Sequence, residues 1–144
     1  MIYKDPPPDF KKEIDIVSCF VQCGDMILLL HRRPEKSNGN KWGLPAGKVE
    51  SGETIHGAMK RELQEETGIE VDSEALNYFG HVWVRHNGHD FQYHMFSSIF
   101  DDVPTVILRL NEHQDFIWIT PEESLQMNLV EDQGQCTQLF YGIA

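Results

Sequence analysis

The segment Thr54–Thr67 constrains this chain most, because it carries helix signals at both ends and three acids where a helix disfavours them. Thr54 suits the N-cap, Gly68 suits the left-handed position beyond the last turn, and no proline interrupts the run. Gly57 weakens such a helix by about 1 kcal/mol relative to alanine, so packing elsewhere has to compensate. The closing turns read RELQEET, which crowds Glu62, Glu65 and Glu66 at the C-terminal end. The macrodipole is negative there, and each acid costs about 0.3–1 kcal/mol. All three side chains fall within an arc of about 100°. Carboxylates roughly 6 Å apart repel by roughly 1 kcal/mol in water and roughly 3 kcal/mol at an effective dielectric of about 20. Arg61 brings one positive charge but leaves from a different side of the helix than the centre of that arc. A divalent cation relieves the cluster. Hard carboxylate oxygens with no sulfur or histidine at ligand spacing select Mg²⁺, Mn²⁺ or Ca²⁺ over zinc.

The rest of the chain alternates strand patterns with short helices. IDIVSCFVQ and MILLLHR flank Cys23-Gly24-Asp25 and predict a hairpin. The loop SNGNKWGLPAGKVESGE follows, too irregular for a regular element. LNYFGHVWVRH and FQYHMFSSIF flank Asn87-Gly88, the strongest short hairpin signal in the chain. FIWIT (116–120) predicts a further strand. Thr120-Pro121-Glu122-Glu123 then opens a short helix with cap, proline and acid in the expected order. A last helix is expected over about 131–141. Pro6-Pro7-Pro8 makes residues 1–13 an extended arm with the reach to contact a second subunit, as in a homodimer. Residues 14–144 read as one domain of the α/β class, a mixed sheet covered by helices.

Composition narrows the partners. A net charge of −11 leaves no basic surface for long RNA or DNA, whereas a small phosphate ligand neutralised by metal is compatible with it. Cys19, Cys23 and Cys136 are too few and odd in number for a disulfide framework, which points to a reducing compartment. MIYKDPPPDFKKE has no apolar signal region and no run approaches membrane-spanning length, so the expected location is cytoplasmic.

Upstream of the acids, the chain runs Gly47, five residues, Glu53, seven residues, Arg61-Glu62-Leu63, one residue, Glu65-Glu66, one residue and Gly68-Ile69. At every defined position this resembles the signature of the Nudix hydrolases. Ala46 is a small departure, since many members have a second glycine there. The resemblance implies an α/β/α sandwich and a Mg²⁺-dependent (or Mn²⁺-dependent) hydrolase of nucleoside diphosphates linked to another moiety. It implies that Glu62, Glu65 and Glu66 hold the metal together with the Gly47 carbonyl, and that Glu53 and Arg61 brace the loop and helix. The general base varies within the family, and Glu62 is one candidate. Glu112, in LNEHQDFIWIT, sits where some relatives carry an extra metal-binding or base glutamate.

Arg32 is the preferred phosphate contact among a basic group that includes His31, Arg33, Lys36, Lys41 and Lys48. Asn128 loosely resembles the base-reading asparagine of the MutT-like branch. Trp42, Phe79, Trp83 and Trp118 are candidates for stacking a nucleobase. His81, His86, His89 and His94 lack helical metal-ligand spacing and read as decoration of an exposed ribbon. The short length, and a downstream stretch VRHNGH without the proline or tyrosine of other branches, resemble the compact MutT-like enzymes. These cleave nucleoside triphosphates, often oxidised, to monophosphate and pyrophosphate. A nucleotide-sugar pyrophosphohydrolase and a non-catalytic nucleotide sensor are the alternatives, and the complete set of box acids stands against the sensor.

Overall fold

In the computed structural model, which describes residues 1–144, the two strands of the first hairpin part company almost at once. Strand β2 (Ile14–Cys23) and strand β3 (Met26–Arg32) pair only at Gln22–Ile27 and Cys23–Met26, around Gly24 at a φ of +60°. Beyond that point β2 runs parallel to β7 (His89–Phe100) over its whole length, while β3 pairs with β8 (His113–Ile119). The sheet thus opens between its central strands.

The loop expected to be irregular contributes two short strands at this opening. β4 (Trp42–Gly43) adds to β3, and β5 (Ala46–Lys48) pairs with β2 through Val17 and Gly47. Their pairing partners are distant in sequence, so no local pattern announces them. β6 (Asn77–His86) and β7 form the hairpin at Asn87-Gly88, whose φ values of +50° and +78° match a turn with two left-handed residues. The arm lies on its own sheet: β1 (Ile2–Tyr3) pairs with Val84 and Trp83 of β6, and Phe10 meets Trp83 edge-on at 5.5 Å. A single 3-10 turn, Ser73–Ala75, was not expected from the pattern.

Helix α1 (Ile55–Thr67) covers one face of the sheet. Its start is fixed by the Gly57 N–H donating to Thr54 Oγ1 at 3.0 Å, and its end by Gly68 at a φ of +73°. Ala58, Met59 and Leu63 pack on Val17, Cys19, Val21 and Phe96. Helices α2 (Pro121–Ser124) and α3 (Gln133–Tyr141) lie on the other face, where Cys136 and Phe140 meet Phe20, Leu29 and Met95. Each fully buried Phe or Leu of these layers stabilises the fold by about 1.5–3 kcal/mol. The architecture is an α/β/α sandwich on a mixed sheet. No helix is long and apolar enough to cross a membrane.

Two histidines depart from the exposed ribbon expected of the hairpin: His86, half-buried against Glu131 and lining the cleft that opens in the sheet, and His94. His94 is buried between layers, its Nε2 2.9 Å from Asp15 and its Nδ1 2.9 Å from Tyr78 Oη. β7 is covered on both faces at that point, so alternation alone could not separate inward from outward positions.

Candidate active site

The buried stripe of α1 fixes which way its acids face. With Leu63 and Met59 in the core, Glu62 and Glu66 turn toward β5 and the opening of the sheet. Arg61, expected to point elsewhere, reaches round the helix and gathers the cluster. Its Nε and Nη2 hold both oxygens of Glu53 at 2.8 and 2.9 Å, and its Nη1 donates to Glu62 at 2.8 Å and Glu65 at 3.3 Å. Nη2 also donates to the Lys48 carbonyl at 3.0 Å, which ties the helix to the loop before it. A guanidinium has five N–H donors in a planar fork, enough for all of these.

The electrostatics follow from that arrangement. The fork of Arg61 and the Glu50 N–H hold the Glu53 carboxyl at about 2. Burial pushes Glu62 up, and Arg61 pulls against it. Glu66 is 4% exposed, and burial raises it well above the usual carboxylate range despite the Ala46 N–H that donates to its Oε1 at 2.9 Å. Gly47 is bare for a reason: a Cβ there would sit 2.1 Å from Glu62 Cδ, so the carboxylate lies where a side chain would.

Glu112 arrives from the other half of the sheet, together with its neighbour His113. Ligand atoms of Glu66, Glu112 and His113 lie within 4.8 Å of one another. His113 is 3% exposed, its Nδ1 has no hydrogen-bond partner, and burial with the nearby Arg32 charge lowers it to about 4. Arg109 stands 4.0 Å from Glu65 and 3.9 Å from Glu112. Four carboxylates of high charge density, one of them buried, fit a hard divalent cation better than they fit each other. The sequence pattern had no way to bring His113 forward, since a lone histidine at a strand start carries no spacing signal.

Beside the acids a cleft of about 340 Å³ opens between the halves of the sheet. Arg32, Gly47, Lys48 and Glu66 line it, so these expected residues come together. Arg32 Nε is engaged by the Ser37 carbonyl at 2.7 Å. Asn128 does not line the cleft; it is exposed and its Nδ2 donates to the Asn40 carbonyl. None of the four proposed stacking aromatics lines it either. Trp42 stacks on His31 at 4.3 Å, Phe79 packs on Phe140, Trp83 on Phe10, and Trp118 on the α1 core. The cleft instead presents Phe91 and Tyr93, two residues apart on one face of β7, and Glu131, Asp132 and Gln133 also line it. That same-face spacing was visible in the sequence, but nothing there showed which face looks into a cavity.

Comparison with known proteins agrees with this geometry. The NUDIX domain model matches residues 12–140. The CTP pyrophosphohydrolase of Escherichia coli (strain K12) is 32% identical over 124 residues, covering 82% of this chain and 84% of that one. The 8-oxo-dGDP phosphatase NUDT18 of Homo sapiens is 37% identical over 73 residues, and the match spans 49% of this chain and 22% of that protein's length. The crystal structure of the MutT protein from Methanosarcina mazei Go1 superposes with a TM-score of 0.79 at 27% identity, covering 92% of this chain and 95% of that one. The acids of α1, the glycine they crowd and the fold that carries them therefore have one family in common, and this chain belongs to it as a MutT-like Nudix hydrolase.

Proposed function

We propose that the protein hydrolyses a nucleoside triphosphate, with oxidised bases among the candidates, to the monophosphate and pyrophosphate. The observation that carries this reading is the position of Glu66, buried at the junction of the carboxylate cluster and the cleft. A scissile phosphate seated there meets Arg32 and Lys48, which line the same cleft as Glu66. The similarity to a CTP pyrophosphohydrolase over most of both chains supports a nucleoside triphosphate, and the shorter match to an 8-oxo-dGDP phosphatase keeps oxidised purines in the panel.

Glu62, Glu65, Glu66, Glu112 and the Gly47 carbonyl would hold Mg²⁺ or Mn²⁺, which when bound neutralises phosphate oxygens and lowers the pKa of a water. The chain's own residues do the rest. Arg32 and Lys48 bind phosphate oxygens, and Phe91 and Tyr93 offer flat apolar surface to the base. Arg61 fixes the directions of Glu62 and Glu65 and, through Glu53 and the Lys48 carbonyl, the loop that carries Gly47. Glu112 takes a proton from the attacking water. The water oxygen bonds to phosphorus, the bond to the bridging oxygen breaks, and pyrophosphate leaves with the electron pair.

Release of pyrophosphate, phosphate and monophosphate across a panel of nucleoside triphosphates, oxidised analogues and nucleotide sugars, with Mg²⁺, tests the reading. Pyrophosphate from a triphosphate is the expected result, with turnover lowered about 10²-fold in Glu112→Gln. Preferred cleavage of a nucleotide sugar, or tight nucleotide binding without any release, would replace it.

A further inference from the structure

We propose that His113 supplies a nitrogen ligand to the carboxylate cluster, forming with Glu66 and Glu112 a mixed nitrogen–oxygen site that prefers Mn²⁺ to Mg²⁺. The inference rests on the reading above that these acids hold a divalent cation. It adds the ligand that sets which cation.

The starting point is a buried imidazole with nothing to do. His113 is 3% exposed and its Nδ1 has no partner, a state that folded proteins rarely leave in place. Of the two neighbouring carboxylates, Glu66 uses Oε1 to accept from the Ala46 N–H, and its other oxygen has no protein donor. The ligand atoms of all three residues already lie within 4.8 Å of one another. Ligands on opposite sides of one ion with bonds of about 2.1 Å are about 4.2 Å apart, so small side-chain rotations close the set.

The backbone explains why two consecutive residues reach one point. In an extended strand, Glu112 and His113 would face opposite ways. Here both of their N–H groups donate to the Arg109 carbonyl, at 3.0 and 3.1 Å, which makes a turn at the start of β8. The pairing of β8 with β3 also shifts register between His31 and Arg32, next to His113. Turn and bulge together bring both side chains to Glu66. An imidazole in the set changes selectivity. Mg²⁺ demands oxygen and holds its waters, whereas Mn²⁺ and later transition ions accept a nitrogen donor.

Pulsed electron paramagnetic resonance on the Mn²⁺-loaded protein, without nucleotide, tests this directly. The expected result is the coupling of a directly bonded ¹⁴N, replaced by the ¹⁵N pattern when histidine alone is isotopically labelled and lost in His113→Gln and His113→Asn. Calorimetry should show Mn²⁺ affinity falling about 10-fold or more in those variants, with Mg²⁺ affinity falling far less. The labelling experiment uses the unaltered chain, so the decision stands even if the variants fail to fold. Absence of nitrogen coupling in the loaded protein, its survival in either variant, or equal losses for both ions would overturn the assignment. Hydrolysis of nucleotides without nitrogen coupling defeats the ligand and spares the reaction. Coupling without hydrolysis of any nucleotide does the reverse.

Discussion

Replacing Gly47 with alanine should spare the fold and disable the enzyme. The new Cβ would stand 2.1 Å from Glu62 Cδ and 2.2 Å from its Oε1. Carbon atoms pack no closer than about 3.5 Å, so the carboxylate has to retreat by about 1.4 Å. Gly47 is not among the glycines at positive φ, and the atoms that yield are the far end of a flexible side chain, so the backbone pays little. What is lost is position. The 2.8 Å contact between Glu62 and Arg61 breaks, and displacement of a reacting group by about 1 Å costs about 10²-fold in rate. The expected outcome is kcat/KM reduced about 10²-fold, equivalent to about 2.7 kcal/mol, with a thermal midpoint shifted by only a few degrees. Pyrophosphate release under single-turnover conditions and a melting curve measure the two quantities. A variant that keeps kcat/KM within about 3-fold would show that Glu62 does not need its place. One that melts far earlier would show that the loop, not the carboxylate, gives way.

Arg61→Lys keeps the charge but offers three donors where the guanidinium makes five contacts, so Glu53 loses its two-point grip; kcat should fall by about 10-fold or more, and an unchanged kcat would refute the bracing role. Tyr93→Ala removes a flat wall of the cleft and should raise KM for the nucleotide more than it lowers kcat, whereas an effect confined to kcat would place the base elsewhere. Asp90 is held at about 2 by the Arg85 guanidinium and the Lys11 N–H. Its folded pKa lies below that of the unfolded chain, so the unfolded chain binds more protons in between, and the stabilisation is whole above about pH 4 and fades toward pH 2. Asp90→Asn should flatten the loss of stability over that window in denaturant melts, and an identical slope would assign acid sensitivity to other carboxylates.

Local signals were legible and distant pairings were not. Thr54 and Gly68 delimit α1 because caps act within a turn of the residues they serve. Asn87-Gly88 marks its hairpin because few other residues accept two positive φ angles in succession. β4 and β5 escaped notice because their hydrogen bonds go to β3 and β2, and the loop that holds them looks like punctuation when read alone. That the acids of α1 cluster could be read from their helical spacing. Which aromatics line the cleft could not: that Phe91 and Tyr93 do and Trp42 and Trp118 do not depends on where the sheet splits. Arg61 shows a further limit: a helical wheel gives the direction of a Cβ, and a guanidinium ends several bonds beyond it.

Trp42 is tied on both sides to the segment that leads into α3: its N–H donates to the Asn128 carbonyl at 2.9 Å and its carbonyl accepts from Val130 at 2.8 Å. Gly43 next to it leaves so little room that an added methyl would come within 3.0 Å of Val130. Main chain therefore joins β4 to the segment that leads into α3 along the cavity wall, and that seam is insensitive to which side chains decorate it. The carboxylates of α1 take no part in holding that seam, which rests on those backbone bonds.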